Sequence, residues 1–426
     1  MKILFVADGR SPIALNWIKY WTTREYEVFL ASTFPVSPNL TLAHVDFIPA
    51  AFSQAKSTPS AGSRQKKKSP LWGAATMNLR TAIRHWLGPL TLPKAALKLN
   101  ELIAEIQPDI VHAMRVPYEG MLASTAKKLA GKNFPPLLIS IWGNDFTLHA
   151  PASPLMRKYT RQTLQLADAL HADCHRDIKL AEKWGFNTAL PSIVLPGAGG
   201  IDRNLFYPPT PNEDPKGFNR NIVKPESKPS TSPHKKGNTI KPFGARELLV
   251  INPRGFRSYI RNDIFFKAIP LVLAERPEVK FICPTMAGEV QAEAWIREFN
   301  VEKSVELTPP LKREQLANTF RRAQVLVSPS THDGTPNSLL EGIACGCFPI
   351  AGDLESIREW ITPEVNGLLI DPADEKALAN AILRALNDDD LREQAIVENQ
   401  KIITERADYN HSMAQAEQFY KNLRGL

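Results

Sequence analysis

The densest chemistry in this chain lies between Val325 and Ile350, V-L-V-S-P-S-T-H-D-G-T-P-N-S-L-L-E-G-I-A-C-G-C-F-P-I. Two carboxylates frame its middle, Asp333 and, eight residues on, Glu341. Between them stand Gly334, Thr335, Pro336, Asn337 and Ser338, which gather hydroxyl, amide and backbone N–H groups. Val325–Val327 reads as a buried parallel strand and Ser328–Thr335 as a loop. Pro336 suits the first position of a helix, where its missing N–H costs nothing, and Gly346 can end that helix. Free N–H groups at a helix start favour an anion, most often phosphate. The crevice beyond a strand's carboxyl end is where open α/β sheets bind ligands. The plainer alternative is an ordinary strand–loop–helix with two solvated acids.

The elements that must position these groups alternate between strand and helix. Met1–Ala7 is a strand, Asp8–Ser11 a turn, and Pro12 opens a helix whose Ile13, Leu15, Trp17, Ile18 and Trp21 share one face. Glu27–Ser32 is the next strand. A dinucleotide fingerprint here would read G-x-G-x-x-G; only Gly9 is present, which counts against an NAD enzyme. Gly9 is either a simple tight turn or a place where the backbone approaches a diphosphate across a cleft. Lys94–Ile106 is a helix, Ile110–His112 a strand with a polar tip, and Leu137–Trp142 a strand ending at Gly143-Asn144-Asp145. A second series starts with the strand Glu247–Asn252 and continues through strands Val279–Cys283 and Val305–Leu307. Helices are expected over Ile264–Ala274, Glu289–Phe299 and Arg313–Arg322, and from Glu375 to the end.

At 426 residues two domains are expected, and a hydrophobic content of 43% supports two real cores. The boundary falls in the Pro-, Lys- and Ser-rich stretch 208–245, which reads as a linker or surface insertion. That gives a first domain over 1–207, a second over 246–408, and a terminal helix over 409–426. The net charge of +8 suggests a nucleic-acid partner, but residues 56–69 and 208–246 each carry +5 and leave the remainder slightly acidic. The basicity therefore belongs to solvated segments rather than a folded groove, and no nucleic acid is expected. Residues 71–92 hold Trp72, Arg80, Ile83, Arg84, Trp86 and Leu87, the pattern of a short basic amphipathic helix. Such a helix either packs on its own domain or lies on a membrane surface near a lipid-borne acceptor. Four scattered cysteines show no zinc spacing and read as buried thiols of a reducing compartment. The apolar strand beginning at Ile3 leaves no secretory leader, and no apolar run spans a bilayer. The expected location is the cytoplasm, at the inner face of the membrane if the acceptor is lipid-borne.

Asp333 and Glu341 resemble the E-x7-E signature of the retaining GT-B glycosyltransferases (glycosyl transferases group 1, family 4 type), with Asp in place of the first Glu. The E-G-I-A-C-G-C-F-P-I that follows is similar to that family's helix and next strand, and P-D-I-V-H at 108–112 to one of its first-domain strands. The resemblance implies two Rossmann-like domains facing across a cleft, with the last helix crossing back to the first domain. It implies that Asp333 touches the transferred sugar and that Glu341 holds the nucleotide ribose. Thr335, Pro336, Asn337 and Ser338 would lie along the donor, with Gly9 across the cleft. Family members carry Gly-Arg at the first strand end of the second domain and a Lys a few residues on, both facing the diphosphate. Arg254 matches the first and Arg261 stands for the second, with Arg257 in reserve. Pro310 and Leu311 would border the base. On the acceptor side the candidates are Asp145, His112 and Arg115. Two family histidines are replaced here, by Met114 and Trp142.

The implied reaction is sugar transfer from a nucleoside-diphosphate sugar to an acceptor with retained configuration. The leaving diphosphate must be neutralised as charge builds on it. No strand-end D-x-D that would hold a metal occurs, and Asp388-Asp389-Asp390 reads as a helix cap. No metal or other cofactor is therefore expected, the nucleotide sugar being a co-substrate. The acceptor, a glycan, lipid or small molecule, is not indicated. Two alternatives remain: an epimerase or hydrolase of sugar nucleotides on the same architecture, and a non-catalytic nucleotide-sugar-binding protein.

Overall fold

The computed structural model describes residues 1–53, 81–209, 248–257 and 259–425. Most of the two basic low-complexity segments lies outside these residues. Seven strands form the first sheet: β1 (Lys2–Ala7), β2 (Glu27–Ser32), β3 (His44–Phe47), β4 (Ile110–Met114), β5 (Leu137–Ile141), β6 (Ala169–Ala172) and β7 (Ser192–Val194). Their order is β3-β2-β1-β4-β5-β6-β7 and every pairing is parallel. The second sheet holds β8 (Leu249–Ile251), β9 (Lys280–Pro284), β10 (Val305–Thr308), β11 (Val325–Ser328), β12 (Phe348–Gly352) and β13 (Leu368–Ile370), in the order β10-β9-β8-β11-β12-β13, again all parallel. Parallel strands are covered on both faces and so read as unbroken apolar runs. All five residues of Ile3–Ala7 are fully buried, as are Val325, Leu326 and Val327.

Strand order reverses between β1 and β4 in the first sheet and between β8 and β11 in the second. Each reversal opens a crevice at the carboxyl ends of the strands. Arg254 follows β8 and Asp333 follows β11, so topology alone brings the two to one crevice.

Helix α1 (Pro12–Thr22) is capped by the Ser11 hydroxyl, which accepts from the Ala14 amide at 3.4 Å, and it buries Trp17, Ile18 and Trp21. Residues 81–87 are helical (α2), and a short turn leads into α3 (Leu92–Ile106). Ile83, Trp86, Leu87 and Leu90 are all more than two-fifths exposed. Among the described residues no helix is long and apolar enough to cross a membrane. The end of the chain is not one helix. It breaks into α11 (Glu375–Asn387), α12 (Asp389–Ile402), a π turn and α13 (Tyr409–Arg424). Asp388 caps α12 by accepting from the Leu391 amide at 2.9 Å.

The last helix returns to the first domain. Met413, Ala416, Tyr420 and Leu423 join the core of Ile3, Phe5, Trp17 and Trp21, and Tyr420 stacks on Trp21 at 4.2 Å. A chain of hydrogen bonds runs beneath. Trp17 Nε1 donates to Tyr420 Oη at 3.2 Å, and Tyr420 pairs with His112 Nδ1. His112 Nε2 meets Ser140 Oγ at 2.7 Å, Ser140 meets His171 Nδ1 at 2.8 Å, and His171 Nε2 faces the Leu195 carbonyl at 3.0 Å. Burial holds both imidazoles neutral, His171 down to about 4 and His112 well below its ordinary value. One polarity satisfies every member: each donates toward Leu195 and accepts from the Trp17 side.

Tyr420→Ala removes the stacked ring and leaves two buried donors or acceptors without partners. It should cost about 3–5 kcal/mol, and Tyr420→Phe about 1–3 kcal/mol. Urea unfolding followed by tryptophan fluorescence measures both, and equal stability of the three proteins would contradict the network.

Candidate functional site

The helix after β11 is α10 (Asn337–Ala344), with Pro336 as its N-cap rather than its first helical residue. The backbone angle ψ of 117° at Pro336 keeps it extended. The first amide bonded back along the helix is that of Leu339, to the Pro336 carbonyl at 3.0 Å. The Asn337 and Ser338 amides are therefore left at the mouth of the crevice.

Arg254 reaches this mouth from β8. Its Nη1 donates to Ser338 Oγ at 3.1 Å, and its Nη2 pairs with Asp333 Oδ2. Both partners of the ion pair are largely buried, with 11% and 14% of their side chains exposed. Arg254 Nε, Asn337 Oδ1, Ser328 Oγ and Ser330 Oγ are buried with no hydrogen-bond partner. Orphaned polar atoms at a crevice are what a bound polar ligand would satisfy. Glu341 lies further along α10, and Arg313 Nη2 stands 4.0 Å from it. Burial holds the Glu341 carboxyl up at about 7, with Arg313 acting against the shift.

Not every expected residue joins this group. Arg261 turns onto Asp263, donating from Nε at 2.8 Å and Nη2 at 2.7 Å, so its charge is already matched at the start of the next helix. It is not among the side chains gathered around Asp333, and Arg257 instead reaches Tyr259 at 3.2 Å. The Thr335 hydroxyl bonds the Asp173 carbonyl and accepts from Trp360 Nε1 at 2.9 Å, so it joins the two domains. Gly9 is pressed against its own domain: its amide donates to Ser32 Oγ at 3.1 Å, and a β-carbon there would lie 2.5 Å from Val36. That amide is bonded within the first domain, as a tight turn would have it. Exposed Pro310 and half-buried Leu311 stand between β10 and the helix carrying Arg313.

On the opposite wall, His112 lies within the buried network and not at the cleft. Asp145 is fully buried; it accepts from the Val116 and Trp142 amides at 3.0 and 3.1 Å and from Arg115 at 3.1 and 3.3 Å. It thereby fixes the loops after β4 and β5. Arg115 keeps a quarter of its side chain exposed.

The two walls touch. The ideal β-carbon on Gly143 would fall 1.7 Å from the Gly334 amide nitrogen, so only glycine permits this approach. Arg176, from the first domain, clamps the contact. It donates to the Asp333 carbonyl at 2.6 Å, the Gly143 carbonyl at 2.7 Å and Ser356 Oγ at 3.2 Å, while Asp177 holds its other face. No local signal in the sequence marked Arg176 or Arg313; each sits among other charged helix residues. Asp173, Cys174 and Asp177 cluster here with burial that would suit a metal. The Arg176 guanidinium already occupies Asp177, and burial keeps the Cys174 thiol protonated, so the grouping does not fit a cation.

Two parallel α/β domains meeting at their strand ends, with a charged crevice between, define a GT-B glycosyltransferase architecture. Residues 243–402 match the family described as glycosyl transferases group 1, and residues 60–173 match glycosyl transferase 4-like, so both domains carry a glycosyltransferase family match. It is 27% identical over 189 residues to a D-inositol 3-phosphate glycosyltransferase of Thermobispora bispora, covering 41% of this chain and 42% of that one. It is 26% identical over 240 residues to its counterpart in Xylanimonas cellulosilytica, covering 54% and 51%. The chain thus spans about half the length of the curated relatives it matches. In fold it resembles sucrose-phosphate synthase from Thermosynechococcus elongatus, with a TM-score of 0.72, 17% identity and 99% of both chains covered. It also resembles Anabaena Alr3699/HepE in complex with UDP, with a TM-score of 0.68, 15% identity, and 99% and 100% covered.

Two expectations come from this geometry. Gly143→Ala should leave each domain folded but hold the walls apart, read as a larger radius of gyration in X-ray scattering with unchanged circular dichroism. The Glu341 carboxyl supplies the second. Held at about 7 in the fold against about 4.5 when unfolded, it is protonated in the native state across that interval, so its contribution to stability falls as pH rises from 4.5 to 7. A ligand that needs the carboxylate should bind more tightly by up to about tenfold between pH 6 and 8. Titration of UDP should show this rise in the wild type and a smaller one in Glu341→Gln; identical profiles would remove Glu341 from the site.

Proposed function

We propose that the protein transfers a hexosyl group from a nucleoside-diphosphate sugar to an acceptor, with retention and without a metal ion. The observation that carries this reading is the junction of Arg254 with both Asp333 and Ser338 at the free end of α10. With no ligand bound, Asp333 neutralises Arg254. An entering diphosphate supplies a stronger anion, takes the guanidinium and the Asn337 and Ser338 amides, and frees Asp333 to meet the sugar. Glu341 accepts from the ribose hydroxyls. As the glycosidic bond breaks, Arg254 and the helix end stabilise the growing charge on the leaving phosphate. The leaving phosphate itself takes the acceptor's proton, so no enzymic nucleophile is required. The Arg176 clamp excludes water by closing the walls. Neighbours of the same fold solved with UDP, UDP and glucose, and UDP-glucose support a nucleotide-sugar partner. Four buried cysteines, none in a disulfide, support a reducing, cytoplasmic compartment.

The test is incubation of EDTA-treated protein with a panel of nucleotide sugars, with product anomers read by NMR. Released UDP and an axial product from an axial donor are expected. Isomerised donor, or binding without turnover, would displace this reading. A charge-assisted contact contributes about 1.5–3 kcal/mol, so Arg254→Gln should lower kcat/KM by about 10- to 100-fold.

A further inference from the structure

Arg313 is the first residue of α9 (Arg313–Arg322), the helix after β10. The positive end of the helix dipole disfavours a cation there, so local helix chemistry does not account for it. The helix start is fixed without it, by the Lys312 amide donating to Gln315 Oε1 at 3.0 Å. The side chain instead leaves its own helix in two directions. Nη1 donates to Asn16 Oδ1 at 3.1 Å, on α1 of the first domain. Nη2 stands 4.0 Å from Glu341 Oε1, on α10 of the second. One planar guanidinium thus reaches a helix of one wall and a carboxyl group of the other.

Its first-domain partner is held ready. Asn16 Nδ2 donates to the Ala198 carbonyl at 2.7 Å, so the side-chain amide presents Oδ1 to Arg313. The Asn16 carbonyl accepts from Tyr409 Oη at 2.8 Å. Asn16 is therefore the point where α1, the turn that closes the first domain and the start of α13 meet. On the second-domain side the gap is the informative feature. A charge-assisted bond closes to about 2.7–2.9 Å, yet this pair stands at 4.0 Å, with 17% of the Glu341 side chain exposed. Among the described residues Arg313 is the one charged group acting on that carboxyl. Cys345, at the end of α10, is a thiol that burial pushes up to about 12, and it adds no charge. A carboxyl stripped of most of its water and offered one distant cation is half of an ion pair. A ligand that donates to the carboxylate completes it.

We infer that Arg313 is a positioning residue for donor binding: it grips the Glu341 carboxylate once the ribose hydroxyls have engaged it and, through Asn16, ties that event to the first domain. The inference rests on the glycosyltransferase reading, in which Glu341 accepts from the ribose, and adds the group that links this contact to the opposite wall. The ribose favours the charged form of Glu341, and that charge draws Nη2 inward while Nη1 keeps Asn16. Donor binding and the contact between the walls then strengthen each other by the same factor.

The experiment measures UMP and UDP affinity by calorimetry between about pH 5.5 and 9 in the full-length wild type and three variants. Comparing variants on one ligand cancels the ionisation of its own phosphate. Arg313→Gln should move the midpoint of the pH-dependent rise in affinity upward by about half a unit, since a half-exposed cation is partly screened. Near the lower end of the range that is a further loss of about threefold. Arg313→Lys keeps the charge and should return the midpoint. Asn16→Ala should leave the midpoint in place and weaken binding at every pH. It should add nothing to Arg313→Gln, as expected of two residues that act through one contact. All effects should appear with UMP as with UDP, because the ribose is common to both. Thermal melting confirms that the variants fold; should Asn16→Ala fail, the two Arg313 variants decide. An unmoved midpoint in Arg313→Gln, a loss confined to UDP, or additive effects of Arg313→Gln and Asn16→Ala overturns the inference and leaves the donor site standing. Failure of the wild type to bind UDP, or a wild-type profile that Glu341→Gln does not change, overturns the donor reading as well.

Discussion

The contact between Gly143 and Gly334 is the constraint on which the site depends. Two sheets of all-parallel strands can each fold by burying apolar runs, but neither holds a complete crevice alone. Arg254, Asp333, Ser338 and Glu341 come from one sheet, Arg115 and Asp145 from the other. They become one cleft because two side-chain-free residues let the main chains meet, and because a single buried guanidinium is shared between both carbonyls. Arg176 would be costly to bury without partners. Its bonds to two carbonyls, a hydroxyl and Asp177 supply them, and only the closed arrangement supplies all four. Closure is therefore tied to satisfying a charge, which also fixes the main chain on either side of Asp333.

Much of this was legible in the residues. Strand–helix alternation, the turn after β11 and the spacing of Asp333 and Glu341 all follow from local rules, because parallel strands and helix starts leave strong short-range patterns. That Arg254 and Asp333 would both face the donor was expected from the family resemblance; their direct ion pair was not. What escaped was set by side-chain direction rather than by position. Arg261 has the right charge and place in the chain, but Asp263 lies two residues on and captures it. Gly9 could be read as a tight turn or as an approach to a ligand, and the packing against Val36 and the bond to Ser32 that favour the turn are not visible in its local sequence. Arg176 and Arg313 act across the cleft, onto the Asp333 carbonyl and onto Asn16 Oδ1, from helices whose sequence reads as ordinary amphipathic surface. Such contacts join residues more than a hundred positions apart, and no local pattern encodes them.

The histidines show the same division. His112 has the residue type and strand-end location of a chemical group, yet it faces away from the cleft, into the layer sealed by the last helix. There it is one member of a directional chain from Trp17 to the Leu195 carbonyl. A low-dielectric surrounding keeps it neutral, which suits it to transmit hydrogen-bond polarity and unsuits it to hold a charge. The helix that seals it is the chain's terminal segment, so completion of the first domain waits on the end of the second. The two domains are thus coupled twice, at the cleft by Arg176 and at the back by Tyr420.

This double coupling bears on how one fold can serve different acceptors. The donor crevice rests on elements of the second domain whose backbone is fixed by sheet order. The opposite wall is built from the loops after β4 and β5, where an arginine at φ 133° and a π turn hold side chains in place without a regular element beneath them. Strained backbone persists only where its surroundings over-determine it. Here Asp145, fully buried and bound to two amides and one guanidinium, is that surrounding. The loops can change in sequence so long as a buried acid of this kind fixes them.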